Sequence, residues 1–170
     1  MDEQAGFEAF FAEHYDGMLR SLWGYCGDRE VAEEAAQEAF VRASRDWRRV
    51  RRMDSPAGWL HRVAFNAVHG HFRRLRTRSR ALPRLVERHD DGTEAVDEML
   101  MLRTALARLP ARQRAALALH YLADLSIAEV AEAMATRPGT VKSLLSRGRV
   151  ALRARLVETA KPGKEHNDVH

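Results

Sequence analysis

The chain has 170 residues, which suffices for one ordinary domain or two small ones, and 45% of them are hydrophobic. Only ten Gly and five Pro, in a background rich in Ala and Arg, predict an all-α protein. The single cysteine, Cys26, excludes a disulfide framework and a Cys-based zinc cluster. The eight histidines show no metal-like grouping with carboxylates, so neither a metal nor another cofactor is expected.

Two further classes of protein are disfavoured by what the sequence lacks. No apolar run approaches the length of a membrane span, and the N-terminus is acidic where a secretory signal would be basic, so we expect a cytoplasmic protein without membrane insertion. No Gly-rich phosphate loop and no nucleophile with a placed histidine is present, so we expect no enzyme activity.

Charge is segregated along the chain, although the net charge is only +4. Residues 2–38 contain ten acids and two arginines, whereas residues 45–88 contain thirteen arginines and three acids. A protein that needed only solubility would intersperse the two signs. Separate acidic and basic surfaces therefore predict two kinds of partner, and nucleic acid suits the basic one.

The first predicted helix runs from about Gln4 to Cys26, with aromatic and aliphatic residues at spacings of three and four. Asp28 is placed to cap a second helix, whose buried side is formed largely by alanines. The opposite side of this helix is acidic. Such a face is usually merely solvated, and it comprises Glu30, Glu33, Glu34, Gln37 and Glu38.

An arginine-rich segment and a third helix follow. The segment after Trp47, RRVRRMDSP, is predicted to be a loop, with Ser55 as the N-cap of the next helix and Pro56 at its first position. The loop arginines are Arg48, Arg49, Arg51 and Arg52. Spacings of four and three place one polar stripe on the third helix, made of Arg62, Asn66, His69, Arg73 and Arg76. Arginine holds phosphate from any sequence, whereas the Asn66 amide can pair with a base edge or simply face water.

Helical periodicity is lost in residues 78–96, which contain Pro83, Gly92 and two adjacent aspartates. We therefore predict two small helical modules, at 1–77 and 97–160, joined by a flexible linker at 78–96. The second module should begin with helices at 97–108 and 111–122. Residues 161–170 are predicted to be a disordered tail.

A helix-turn-helix is predicted at residues 124–155. Ser126 is placed to cap its first helix, and Pro138 is placed at the start of its second. Residues 137–155 carry six basic residues and no acid, which suits insertion of the second helix into the major groove. The alternative is an ordinary helical hairpin with a solvated basic face.

The segments AEEAAQEAFVRA, SPAGWLHRVAFNAVHGHFRR and LPARQRAALALHYLADLSIAEVAEAMATRPGTVKSLLSRGRVALRARL resemble, in order and spacing, the two blocks of the extracytoplasmic-function (ECF) sigma factors. The resemblance covers residues 7–156. It implies a sigma factor that binds core RNA polymerase, through the β′ clamp helices and the β subunit, and directs initiation at promoters. Such a protein is expected to be monomeric when free and to be controlled by an anti-sigma factor.

The resemblance also implies roles for the polar surfaces. Four residues of the acidic face of the second helix would dock on the clamp helices, namely Glu33, Glu34, Gln37 and Glu38. The loop arginines and the polar stripe would meet the minus-ten element, with Asn66 near a flipped base. The minus-thirty-five element would be met by Arg137, Thr140, Lys142, Ser143, Ser146 and Arg147.

Some positions depart from the family pattern. Leu144 stands where an arginine is common, Gly70 where an aspartate is common, and Ala135 where the turn usually has glycine. The alternative function is a stand-alone helix-turn-helix regulator with an N-terminal dimerisation or sensing domain. We further hypothesise that the free modules fold against each other and hide both DNA surfaces.

Overall fold

A computed structural model describes residues 3–78 and 94–160, and all regular secondary structure within these ranges is helical. The all-α prediction is therefore confirmed. The predicted tail and all but the ends of the predicted linker lie outside the described residues. The first module consists of α1 (Glu3–Cys26), α2 (Arg29–Arg45), the short α3 (Trp47–Val50) and α4 (Pro56–Arg78).

The turn between α1 and α2 is set by two adjacent residues. Gly27 has a φ of 74°, in the left-handed region that glycine adopts without strain. The Asp28 side chain then accepts a hydrogen bond of 3.2 Å from the backbone N–H of Val31, as its predicted capping role requires. Because the connection is this short, α2 folds back along α1.

Small side chains form the inner side of α2. Ala32, Ala36, Ala39 and Ala43 are all completely buried, against both α1 and α4. Alanines allow helix axes to approach closely. Phe40 adds the bulk that they lack, since its ring lies 4.7 Å from that of Phe11 on α1.

The arginine-rich segment is only partly a loop. Its first residues form the helical turn α3, which begins at Trp47 and ends at the fully buried Val50. Val50 is the one apolar residue among the arginines of RRVRR, and its burial holds this turn against the module. The predicted start of α4 is confirmed, because the Ser55 hydroxyl accepts a hydrogen bond of 3.1 Å from the backbone of Gly58.

The second module contains α5 (Glu94–Ala107), α6 (Ala111–Leu117), α7 (Ile127–Ala133) and α8 (Pro138–Ala160). Helix α5 begins three residues before the predicted boundary at Asp97. The predicted helix at 111–122 changes character after α6, because residues 118–122 form a π-helical turn. Such a turn accommodates one extra residue per turn, and hydrophobic periodicity gives little sign of it.

The helix-turn-helix is present as predicted. Ser126 and Glu129 form a capping box in which each side chain accepts a hydrogen bond from the other residue's backbone, at 3.2 and 2.8 Å. Pro138 is the first residue of α8. Gly148 permits close contact of α8 with α6, because a Cβ there would lie 3.0 Å from Leu117 Cδ1.

Ala135, in the turn between α7 and α8, has a φ of 49°. A non-glycine residue in this region carries a cost of about 1 kcal/mol, which explains why glycine suits the position. We expect Ala135→Gly to raise the free energy of unfolding by about 0.5 to 1 kcal/mol, as measured by urea denaturation. The control is Ala12→Gly in the exposed middle of α1, which should lower it by about 1 kcal/mol.

The two modules pack against each other. Helix α4 lies along α7, and α1 contacts both α5 and the π-helical turn. Close approach on the α4 side depends on Gly58, where a Cβ would lie 2.9 Å from the Glu129 carbonyl oxygen. On the α1 side, Gly24 leaves room for Leu122 in the same way, because a Cβ there would lie 2.5 Å from Leu122 Cδ1.

Two side chains join the modules by polar contacts. The Arg103 guanidinium of α5 lies 4.3 Å from the centre of the Trp23 ring and donates a hydrogen bond to the Gly27 carbonyl oxygen. Arg62 of α4 forms an ion pair of 3.2 Å with Glu132 of α7. The modules therefore form one packed body in this structure.

Candidate interaction surfaces

The predicted acidic face of α2 is directed to solvent. Glu34, Gln37 and Glu38 are exposed, and Glu33 is partly exposed. Arginines of the same helix pair with two of the carboxylates, Arg29 with Glu33 at 2.9 Å and Arg42 with Glu38 at 2.5 Å. Glu34 has no ion-pair partner within residues 3–78 and 94–160, so its charge is the most available for a basic partner.

The four arginines of the α3 region are all exposed. Arg48 bonds to Glu3 at the start of α1, with a distance of 2.9 Å, and this contact lowers the pKa of Glu3 below its usual value. Trp47 supports the segment from inside, because its ring lies 5.0 Å from that of Phe10. Exposed guanidinium groups on an anchored turn are suited to contacts with a phosphate backbone.

The polar stripe of α4 divides into parts with different surroundings. Asn66 and Arg73 are exposed, whereas Arg62 is half-buried in its ion pair with Glu132. His69 Nε2 is 2.8 Å from the Tyr25 hydroxyl of α1, and desolvation lowers the pKa of this imidazole. The side chain of Arg76 lies outside the described part of the chain.

Asn66 borders a cleft of about 330 Å³ between the two modules. One wall is α4 with Tyr25, and the other is α6 together with the end of α7 and its turn. The stripe therefore faces the second module over its N-terminal half. Tyr25 and Glu132 were not predicted as partners of the stripe, because a contact between residues so distant in the chain leaves no periodic signal.

The side chains that are predicted to contact the minus-thirty-five element do not pack in the core. They are exposed except for Thr140, which is partly buried. They comprise Arg137, which immediately precedes α8, and Thr140, Lys142, Ser143, Ser146 and Arg147 of the helix itself. Leu144 points to the other side and is 8% exposed. The family's arginine position on this helix is thus used here for packing. Arg149, two residues after Arg147, donates a hydrogen bond of 3.1 Å to the Tyr121 hydroxyl.

The described residues offer little for catalysis. No group of three or more His, Cys, Asp or Glu among them is arranged to hold a metal ion. Burial raises the pKa of the Cys26 thiol to about 11, so it is not an activated nucleophile. None of the described helices combines the length and apolarity needed to cross a bilayer.

Comparison with known proteins shows the family of the chain. Residues 10–78 match the family described as sigma-70 region 2, and residues 99–152 match the family described as sigma-70, region 4. The ECF RNA polymerase sigma factor SigM of Mycobacterium tuberculosis is 32% identical over 155 residues, covering 91% of this chain and 79% of the relative. SigC of the same species is also 32% identical, covering 86% and 81% of the two chains.

Among solved structures, the sigma factor RpoE in complex with the anti-sigma factor NepR from Bartonella quintana matches with a TM-score of 0.76 and 19% identity, covering 92% of this chain and 99% of that chain. This likeness confirms the fold. Both sigma-70 regions, present in order on one all-helical chain, define a sigma-70 type initiation factor. The chain belongs to the family of ECF RNA polymerase sigma factors.

The function follows from this membership. The protein binds core RNA polymerase and directs promoter-specific transcription initiation through the minus-ten and minus-thirty-five elements. A stand-alone regulator with an N-terminal sensing domain is not supported, because the N-terminal half matches sigma-70 region 2. Sigma factors are not a class of enzymes.

Proposed function

We propose that three separate surfaces of this sigma factor perform its three contacts. The face of α2 docks on the β′ clamp helices, the α3 region and α4 stripe bind the opened minus-ten element, and α8 binds the minus-thirty-five element in the major groove. The observation that carries the proposal is the separation of charge. Exposed carboxylates occupy α2, whereas exposed cations occupy the other two surfaces, together with the Asn66 amide on α4 and serine hydroxyls on α8.

The docking role of α2 is supported by the form of its face. Glu34, Gln37 and Glu38 are exposed at helical spacings of three, four and one, so they present acceptors on one side of a rigid helix. A basic partner helix would meet charge of the opposite sign, which accelerates encounter and fixes orientation. Arg29 and Arg42 of the same helix pair with the outer carboxylates, those of Glu33 and Glu38.

The minus-ten role rests on two kinds of group. The exposed arginines of the α3 region supply charge for the backbone of a single strand, in any sequence. Asn66 supplies both a donor and an acceptor, which a single flipped base can pair with. Trp59 does not serve as a stacking platform in this proposal, because it is partly buried and packs against the core.

The minus-thirty-five role rests on the exposed face of α8. Arg137 and Thr140 lie at the helix N-terminus, where backbone N–H groups favour a phosphate. Lys142, Ser143 and Arg147 lie further along and can reach base edges. We further propose module boundaries at 1–77 and 97–160, a cytoplasmic location, and control by an anti-sigma factor such as RpoE has in its complex.

The proposal is tested by run-off transcription with purified core polymerase and genomic fragments. Discrete transcripts are expected only when polymerase and this chain are both present, and their start sites give the promoter sequence. We then expect Arg147→Ala to lower initiation about tenfold on the mapped promoter, since a bidentate base contact contributes roughly 1 to 3 kcal/mol. The same variant should lose most of the dependence on minus-thirty-five mutations.

The matched control is Arg155→Ala, which removes the same charge near the end of α8, outside the proposed contacts. It should keep the full minus-thirty-five dependence. If Arg147→Ala keeps this dependence as well, the assignment of the α8 face is wrong. Binding of DNA fragments by the chain, with no transcript even when polymerase is added, would contradict the proposed docking of α2 and the proposed minus-ten contact.

A further inference from the structure

Helix α7 occupies the place on α4 where the proposed minus-ten stripe begins. Gly58 brings the two helices together, since even a Cβ at this position would lie 2.9 Å from both the Glu129 carbonyl oxygen and the Glu132 Cβ. One turn further along α4, Arg62 forms its 3.2 Å ion pair with Glu132. A DNA strand that followed the stripe would need the space that α7 fills.

The Glu132 carboxylate pairs with the Arg62 guanidinium, which is proposed to bind a phosphate of the minus-ten strand. Carboxylate and phosphate oxygens bind a guanidinium in the same planar geometry. Beyond this pair, the cleft beside Asn66 is closed on its far side by Arg112 and Met134 of the second module. The second module thus provides both a charge that replaces phosphate and a wall beside the proposed base contact.

The other two proposed surfaces stay open in the same arrangement. Glu34 and Gln37 on α2 are exposed, and so are Lys142 and Arg147 on α8. The hypothesis that packing of the modules hides both DNA surfaces is therefore wrong for the minus-thirty-five face. Of the three proposed surfaces, the packing of α7 on α4 covers the minus-ten surface alone. Docking of α2 on polymerase does not require the two modules to separate.

We propose that α7 is an intramolecular competitor of the minus-ten strand, with Glu132 in the place of a backbone phosphate on Arg62. The proposal rests on the minus-ten assignment of α4 made above. In the free chain, the packed arrangement lowers the apparent affinity for the strand by the fraction of molecules that are open. Docking on polymerase through α2 comes first, and separation of α7 from α4 then exposes the stripe.

The size of the expected effect follows from the exposure of the pair. Both side chains are nearly half exposed, at 44% and 46%, so the ion pair alone changes the equilibrium by at most about fivefold. Reversal of the charge at Glu132 replaces its attraction to Arg62 by repulsion. This repulsion shifts the equilibrium toward the open arrangement by a similar further factor. The remaining contacts, such as Arg103 on Trp23, stay in place. We therefore expect Glu132→Arg to tighten strand binding by about three- to tenfold.

The test uses the full chain without polymerase and a fluorescent single-stranded oligonucleotide that carries the minus-ten element mapped by run-off transcription. Anisotropy titrations compare the parent, Glu132→Arg and Glu98→Arg. The last variant makes the same charge change at an exposed site on α5, and so measures the general effect of added positive charge. Small-angle X-ray scattering of the same samples reports whether the modules have separated.

Stronger strand binding by Glu132→Arg than by Glu98→Arg, together with a larger radius of gyration and unchanged affinity for core polymerase, is the expected result. Equal affinity of the two variants would overturn the competition. A double variant that combines Asn66→Ala with Glu132→Arg tests the minus-ten assignment separately. If this double variant binds the strand as well as Glu132→Arg does, the stripe is not the binding site, and the inference fails with it.

Discussion

Glu34→Arg is expected to weaken binding of this sigma factor to core polymerase at least tenfold. This is the largest change in affinity for a partner that we expect from a single substitution. Glu34 lies in the middle of the exposed α2 face, and no arginine of the described residues neutralises it. The substitution changes the charge by two units where a basic surface is proposed to dock. Truncation of one partner of a charge pair that becomes buried and hydrogen-bonded at an interface costs about 2 to 5 kcal/mol, and about 1.4 kcal/mol corresponds to tenfold.

The measurement is a titration of fluorescently labelled chain with core polymerase, with circular dichroism to verify that the helices are retained. Glu13→Arg is the matched control, because Glu13 is an exposed carboxylate of the same module on α1. It should bind polymerase within about twofold of the parent, as surface charges outside a docking site contribute little. Unchanged affinity of Glu34→Arg would refute docking through α2.

The second large effect is loss of stability in acid. His61 of α4 is 1% exposed, and its Nδ1 atom has no hydrogen-bond partner in the described structure. Burial lowers the pKa of His61 from 6.5 to about 3, and His14 acts in the same direction. The unfolded chain therefore takes up a proton that the folded chain refuses. The contribution of neutral His61 to the free energy of unfolding is fully present above pH 6.5, and it is lost as the pH falls toward 3.

By linkage, His61 should cost the protein about 2 kcal/mol of unfolding free energy between neutral pH and pH 5. Urea denaturation at a series of pH values measures this slope. His61→Leu should remove this part of the slope, whatever its effect on stability at neutral pH. His71→Leu, on the same helix, is the control and should retain the acid sensitivity of the parent. Equal slopes for both variants would place the acid sensitivity elsewhere.

The features that sequence analysis predicted well are local. Caps at Asp28, Ser55 and Ser126 were confirmed because one side chain and one nearby backbone N–H define each of them. The exposure of the α2 and α8 faces followed from helical periodicity in the same way. These signals need no knowledge of the rest of the fold.

The features that were missed depend on contacts between distant residues. The helical turn at Trp47–Val50 forms where arginines suggested a loop, because burial of Val50 outweighs the polar character of its neighbours. The π-helical turn and the Arg62–Glu132 pair are likewise consequences of packing. Burial by α7 also decides how much of the α4 stripe is available, and the spacing of the stripe carries no information about α7.

The position of Leu144 in the core bears on how many promoters this protein can serve. With this residue buried, the proposed contact positions within α8 include one guanidinium that can pair with a guanine in bidentate fashion, that of Arg147, beside the flexible Lys142 and the small hydroxyls of Ser143 and Ser146. An alignment of its target promoters should therefore show one strongly preferred base in the upstream element and weak preferences around it. The minus-thirty-five element would then contribute little to the choice of promoter. The minus-ten element would mainly determine which promoters the protein serves.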